Sequence, residues 1–153
     1  MKRKNVSMAQ MYPIIKEVIE SGGEVSIIAT GESMQPMLYN DIDSILLTKV
    51  TGKLKKYDLP FYQRKNGAFV VHRVVEVLDD EYVMCGDNQV IKEKGITDNQ
   101  IIAIVKGFTR KNKKYNVTDK KYKLYCFVWV NSFIIRKKYR GFKTRVKKLI
   151  YRK

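Results

Sequence analysis

The chain has 153 residues, is 44% hydrophobic and carries a formal net charge of +16. That length suits one domain with a proper core, and that apolar fraction excludes a disordered polyelectrolyte. The charge is uneven: from Arg110 onward there are seventeen Lys/Arg and one acid, Asp119, whereas residues 1–109 hold fourteen of each sign and are neutral.

Taken in order, 7–20 reads as a helix. Met8, Met11, Ile15, Val18 and Ile19 recur at helical spacing, and Ser7 with Gln10 has the form of a capping box. Pro13 places the start of the regular part near Tyr12, and Ser21-Gly22-Gly23 ends it. Residues 24–30 are strand-like. A turn bracketed by Gly31 and Pro36 follows, Gly31-Glu32-Ser33-Met34-Gln35-Pro36-Met37-Leu38. Strands are expected at 43–50, 55–63 and 68–78, the last two joined as a hairpin through Arg64-Lys65-Asn66-Gly67. After the turn Asp79-Asp80 come a strand at 81–85, the sequence Cys85-Gly86-Asp87-Asn88, and a last core strand at 100–108. Residues 110–114 read as a basic linker, and the tail beyond is largely helical from about Asp119.

Three pieces carry chemistry. Ser33 lies on a tight turn, His72 is the only histidine, and Asp87 sits at a later turn. A serine hydroxyl needs a base to take its proton during attack, and neutral imidazole suits that role near pH 7. A carboxylate behind the imidazole fixes its tautomer. Asp87 is the expected orienter, with Asp58 and Asp79 as competitors: Asp58 reads as a strand-end carboxylate and Asp79 as part of a solvated turn. Cys85 is flanked by apolar residues, a setting in which cysteine is usually inert. Read singly, each piece is bland: a core histidine, an ordinary Gly-Asp-Asn turn.

Two cysteines, Cys85 and Cys126, are too few for a disulfide framework, so a reducing compartment is the default. Lys2, Arg3 and Lys4 are followed by no apolar run of signal-peptide length, since Glu17 and Glu20 interrupt the candidate; export is not expected. In the tail, the apolar stretch formed by Leu124 to Val130 and Phe133 to Ile135 is short of the roughly 20 residues that span a bilayer as a helix. Basic residues beside Phe127, Trp129 and Phe133 suit an anionic membrane surface, and nucleic acid is not expected as a partner.

The motifs together resemble the signal peptidase I family and its LexA-type relatives. The Ser-Met-x-Pro box is Ser33-Met34-Gln35-Pro36. His72-Arg73 and Gly86-Asp87-Asn88 are similar to the endoplasmic-reticulum and archaeal type, in which histidine replaces the usual lysine base, and Tyr57-Asp58-Leu59-Pro60-Phe61 is similar to a further family box. Met37 stands where threonine is common, Tyr57 where glycine is, and Gly31 where many members have serine. The resemblance covers roughly 24–108. It implies a mainly β fold of coiled sheets, with an N-terminal helix and a C-terminal basic helical tail beside it.

The resulting expectation divides the chain into an N-terminal helix (1–23), a catalytic β domain (24–109) and a membrane-interfacial tail (110–153). Ser33, His72 and Asp87 are the expected catalytic residues of a serine endopeptidase. Gly31 and Met34 are expected to help position the oxyanion and substrate, with the Ser33 N–H as the oxyanion donor. The substrate would be a signal- or leader-type peptide or preprotein, bound extended, with small side chains before the cut. No metal or cofactor is called for. Placement is peripheral on a membrane, with the cytoplasmic side favoured. The competing expectation is a catalytically weak, membrane-associated binding module on the same fold. A LexA-type regulator would need a DNA-binding domain that some thirty residues before the serine box cannot supply.

Overall fold

The computed structural model describes residues 7–150. Lys2, Arg3 and Lys4, and the last three residues of the expected tail, lie outside them. Helix α1 (Met8–Glu20) starts at the expected cap: Gln10 N–H donates to Ser7 Oγ at 3.3 Å, and Ser7 N–H donates to Gln10 Oε1 at 3.0 Å. Pro13 lies inside α1 and does not delay its start. The bond it forfeits would fall on the Ala9 carbonyl, and Ala9 is exposed, so water can take the place of that donor. Ile15 and Ile19 form the buried stripe.

The rest is mainly β. The strands are β1 (Val25–Ile28), β2 (Ser44–Thr48), β3 (Pro60–Gln63), β4 (Phe69–Val71), β5 (Arg73–Val77), β6 (Tyr82–Cys85), β7 (Glu93–Ile96), β8 (Ile101–Arg110) and β9 (Lys113–Asn116). One sheet runs β1-β2-β8-β3-β4, with β9 added to β8; a second runs β5-β6-β7; every pairing is antiparallel.

Several expectations change in detail. The strand expected at 68–78 is two strands in two different sheets, and the break falls at His72. The strand expected from residue 55 begins only at Pro60. Before it, Asp58 accepts from Lys55 N–H at 2.7 Å and Tyr57 takes φ 82, so the chain turns there. Pro60, with no N–H to give a ladder, stands at the first position of β3, where that loss is tolerated. The basic linker expected at 110–114 is a tight hairpin into β9, with φ of 48 at Lys111 and 62 at Asn112. Two successive positive φ values match the twist of a two-residue hairpin, although neither residue is glycine.

The tail is helical as expected, as α2 (Lys120–Asn131) and α3 (Phe133–Ile150). The boundary expected at 109/110 is not an edge of the core. Residue 110 ends β8, and α2 buries Tyr122 and Cys126 in the cluster that also holds Ile15, Ile19, Ile27 and Phe61. Among the described residues no helix is long and apolar enough to cross a membrane.

Candidate functional site

The Ser33 turn is held from both ends. Gly31 takes φ +83, a left-handed conformation suited to glycine, and its N–H donates to Asn40 Oδ1 at 2.7 Å. Leu38 N–H donates to the Met34 carbonyl at 3.0 Å, while Met34, Met37 and Leu38 bury their side chains in the core. The apolar residues after the serine therefore act as anchors. Gly31's amide is occupied and cannot serve an oxyanion, and Met34 contributes a wall of the cavity described below. Among the described residues no acceptor engages the Ser33 or Met34 amide, which leaves two N–H groups beside the serine hydroxyl.

The Gly-Asp-Asn box packs directly against this turn. Asn88 N–H donates to the Ser33 carbonyl at 2.7 Å, and Asn88 Nδ2 donates to the Glu32 carbonyl at 3.1 Å. Ser33 is half-buried, and it shares with His72 a cavity of about 210 Å³. The walls are mixed: Ile27, Leu38, Phe61 and Phe69 are apolar, and Arg64 and Gln89 are polar. The Ser33 hydroxyl makes no hydrogen bond to the imidazole; the two groups face one space without touching.

His72 is 2% exposed. Its Nδ1 lies 3.3 Å from Tyr62 Oη and 3.8 Å from Glu93 Oε2, and Nε2 has no protein partner among the described residues. Burial, helped by the Arg64 charge, pushes the imidazole down to about 4, so it is neutral at pH 7. Glu93 is gripped by Arg64 through Nε–Oε1 at 2.8 Å and Nη2–Oε2 at 2.7 Å, and it accepts from the Tyr62 hydroxyl at 2.9 Å. Burial opposes its charge, but the hydrogen bonds from Arg64 and Tyr62 prevail and hold the carboxyl below its ordinary value.

Asp87 does not sit behind the imidazole as expected. Its carboxylate accepts from Arg73 Nε at 2.8 Å, from Arg73 Nη2 at 2.7 Å and from the Tyr125 hydroxyl at 2.9 Å. The reason is strand geometry: consecutive side chains point to opposite sides, so His72 opens on the cavity while Arg73 points away from it. Arg73 is wholly buried. It also donates to the Tyr57 carbonyl, Tyr122 Oη and Cys126 Sγ through Nη1 and to Met37 Sδ through Nη2. Burial opposes its charge, and Asp87 more than restores it.

Neither competing carboxylate reaches His72. Asp58 caps the turn before β3, and Asp79 is exposed at the β5–β6 turn. The Cys85 thiol points to backbone carbonyls, including that of Gly86 at 3.4 Å, and burial pushes it up; it is a structural residue. Among the described residues no group of His, Cys, Asp and Glu could hold a metal.

Sequence reasoning missed Arg64, Tyr62, Glu93 and Arg73. For Tyr62 a signal existed. In the hairpin register Tyr62 pairs with Val70, two residues before His72, so the two rings share a face as diagonal neighbours. Glu93 and Arg64 come together only through the docking of the second sheet. No protein-family model, curated protein or solved structure matches this chain.

Proposed function

We propose that this chain is a serine endopeptidase of the signal-peptidase-like type, with the coiled-sheet fold of that family. The observation that carries the reading is that Ser33 and the only histidine, from separate elements, open on one cavity. Ser33 Oγ attacks the scissile carbonyl while His72 Nε2 accepts its proton. The Ser33 and Met34 amides receive the developing oxyanion. The imidazolium then gives its proton to the leaving amine, and water, activated by His72 in turn, cleaves the acyl-enzyme and regenerates Ser33. Asp87 acts as an anchor of the Gly86–Asn88 turn that supports Ser33. The substrate is a signal- or leader-type peptide. Strands β1 and β4, each paired on one side only, line the cavity and offer unpaired backbone to an extended chain.

The test is reaction with a fluorophosphonate probe followed by mapping of the adduct. Labelling of Ser33, lost in His72→Ala, supports the reading. An intact Ser33 under conditions that label a known serine peptidase overturns it. A second reading, a binding module with weak or no activity, is favoured by the missing Ser33–His72 hydrogen bond. Catalytic hydrogen bonds are often long before substrate binds, so the enzyme reading is preferred.

We also infer that α3 holds the protein peripherally on anionic membranes, with the cytoplasmic side favoured. An ordinary surface helix turns its apolar stripe inward. Here Arg136 and Arg140 reach the body of the protein, donating to the carbonyls of Asp87 and Asn88, while Ile135 (71% exposed), Tyr139 and Phe142 (67%) form an outward stripe flanked by Lys and Arg. Vesicle sedimentation with and without anionic lipid tests this, set against binding to a duplex of unrelated sequence. Binding to duplex alone would overturn it.

A further inference from the structure

The groups that lead away from His72 Nδ1 form an ordered chain: Arg64, Glu93, Tyr62, His72. We propose that Tyr62, Glu93 and Arg64 are positioning residues that fix the tautomer of His72, the task first expected of Asp87. The inference rests on the reading of His72 as the base.

The proton positions follow from which groups can give and which can only accept. Arg64 donates twice to Glu93 and keeps it ionised, so Glu93 can only accept. Tyr62 lies 2.9 Å from Glu93 Oε2 and has one proton to give, which goes to that carboxylate. The Tyr62 oxygen then presents only lone pairs to His72 Nδ1, 3.3 Å away. The neutral imidazole answers by carrying its hydrogen on Nδ1. Its lone pair is left on Nε2, the nitrogen without a partner among the described residues. Which ring nitrogen is protonated is set by the hydrogen bond the other one makes. A base that must take the Ser33 proton through Nε2 needs this tautomer. Glu93, at 3.8 Å from Nδ1, also supplies negative charge to an imidazolium formed in the reaction.

The three residues are held for this purpose. Tyr62 is fully buried in the second core cluster, with Val74 and Met84, so its ring has little freedom. Glu93 begins β7 and Arg64 ends the β3 side of the hairpin, so each sheet contributes one half of the ion pair. The pair is partly exposed, and its charge is therefore open to solvent screening, but its bidentate geometry fixes direction whatever its energy.

Because the chain has one histidine, long-range proton–nitrogen NMR on the full-length protein at neutral pH reads a single imidazole. The expected spectrum has a protonated Nδ1 and a pyridine-like Nε2. In Tyr62→Phe the acceptor is gone, and the hydrogen should move to Nε2. In Glu93→Ala the freed Tyr62 hydroxyl can turn and donate to Nδ1, with the same result. A hydrogen on Nε2 in the unaltered protein overturns the proposal without reference to any variant, as does an unchanged tautomer in a folded Tyr62→Phe protein. On activity, Tyr62→Phe should lower kcat on the order of 10- to 100-fold with little change in KM, as expected for a partner behind a working imidazole. If the tautomer behaves as described and no preparation labels at Ser33, the arrangement stands and the peptidase reading falls.

Discussion

Gly86 lies so close to Ser33 that a β-carbon at position 86 would stand 2.6 Å from the Ser33 carbonyl oxygen and 3.1 Å from the Ser33 β-carbon. The glycine is there for space. Gly86→Ala should push the serine turn out of place, with a destabilisation of about 1–3 kcal/mol and a larger loss in labelling of Ser33. Denaturant unfolding beside probe labelling checks both; unaltered labelling would mean the turn gives way harmlessly.

Ser33→Ala removes only a half-exposed hydroxyl that has no hydrogen-bond partner among the described residues. Its stability should stay within about 0.5 kcal/mol of the parent while cleavage of any true substrate vanishes. Cleavage that survives in this variant rules out the proposed nucleophile.

The depressed His72 pKa sets two pH dependences. Activity should persist well below pH 6.5 and fall as pH drops toward about 4, where the imidazole takes up a proton. Stability follows the same sign. Between those values the unfolded chain binds the proton and the folded one does not, so stability is lost as pH falls. An interval of that size corresponds to roughly 3 kcal/mol. Urea unfolding across pH 4–7 should show the slope, and His72→Gln should flatten it.

Asp87→Asn separates the anchor from the orienter. It leaves the Arg73 charge buried without its counter-ion, and breaking such a pair costs about 3–5 kcal/mol. The tautomer of His72 should not change. A shifted tautomer with normal stability would return Asp87 to the role first expected of it.

Ile135→Glu with Phe142→Glu places two acids on the outward stripe of α3, where neither side chain is buried. Unfolding should change by less than about 0.5 kcal/mol, while sedimentation with anionic vesicles should drop severalfold. Raising salt should weaken but not abolish binding of the unaltered protein, because burial of apolar side chains persists when charge is screened.

The sequence made the framework legible wherever one local rule decided. The Ser7–Gln10 box marked the start of α1, Asn66-Gly67 marked the β3–β4 hairpin, and the basic tail read as helix. It misled where tertiary docking decided. The alternation of Val70, His72 and Val74 continues unbroken through the point where the chain changes sheets, so one long strand was the natural reading. β7, with Lys94 and Gly95 inside it, carries no periodic signal and is held by pairing to β6. The serine turn and the histidine were visible as motifs. The partner of the histidine was not, because Asp87 satisfied the motif while Arg73, next to His72, drew it to the opposite side.

That neighbouring pair has a consequence for how the molecule becomes complete. The partners that enclose Arg73 beyond Asp87 include Tyr122 Oη and Cys126 Sγ, and Tyr125 closes on Asp87 itself. A chain leaving the ribosome presents the serine turn, the histidine and the Gly86 box long before those residues emerge. Until they do, a guanidinium one residue from the imidazole lacks its enclosure. The nascent protein therefore holds Ser33, His72 and Gly86 before it holds their arrangement. The enclosure of Arg73 and Asp87 is complete only once α2 has docked, so a fragment stopping at residue 110 would lack Tyr122, Tyr125 and Cys126 and leave that buried pair open.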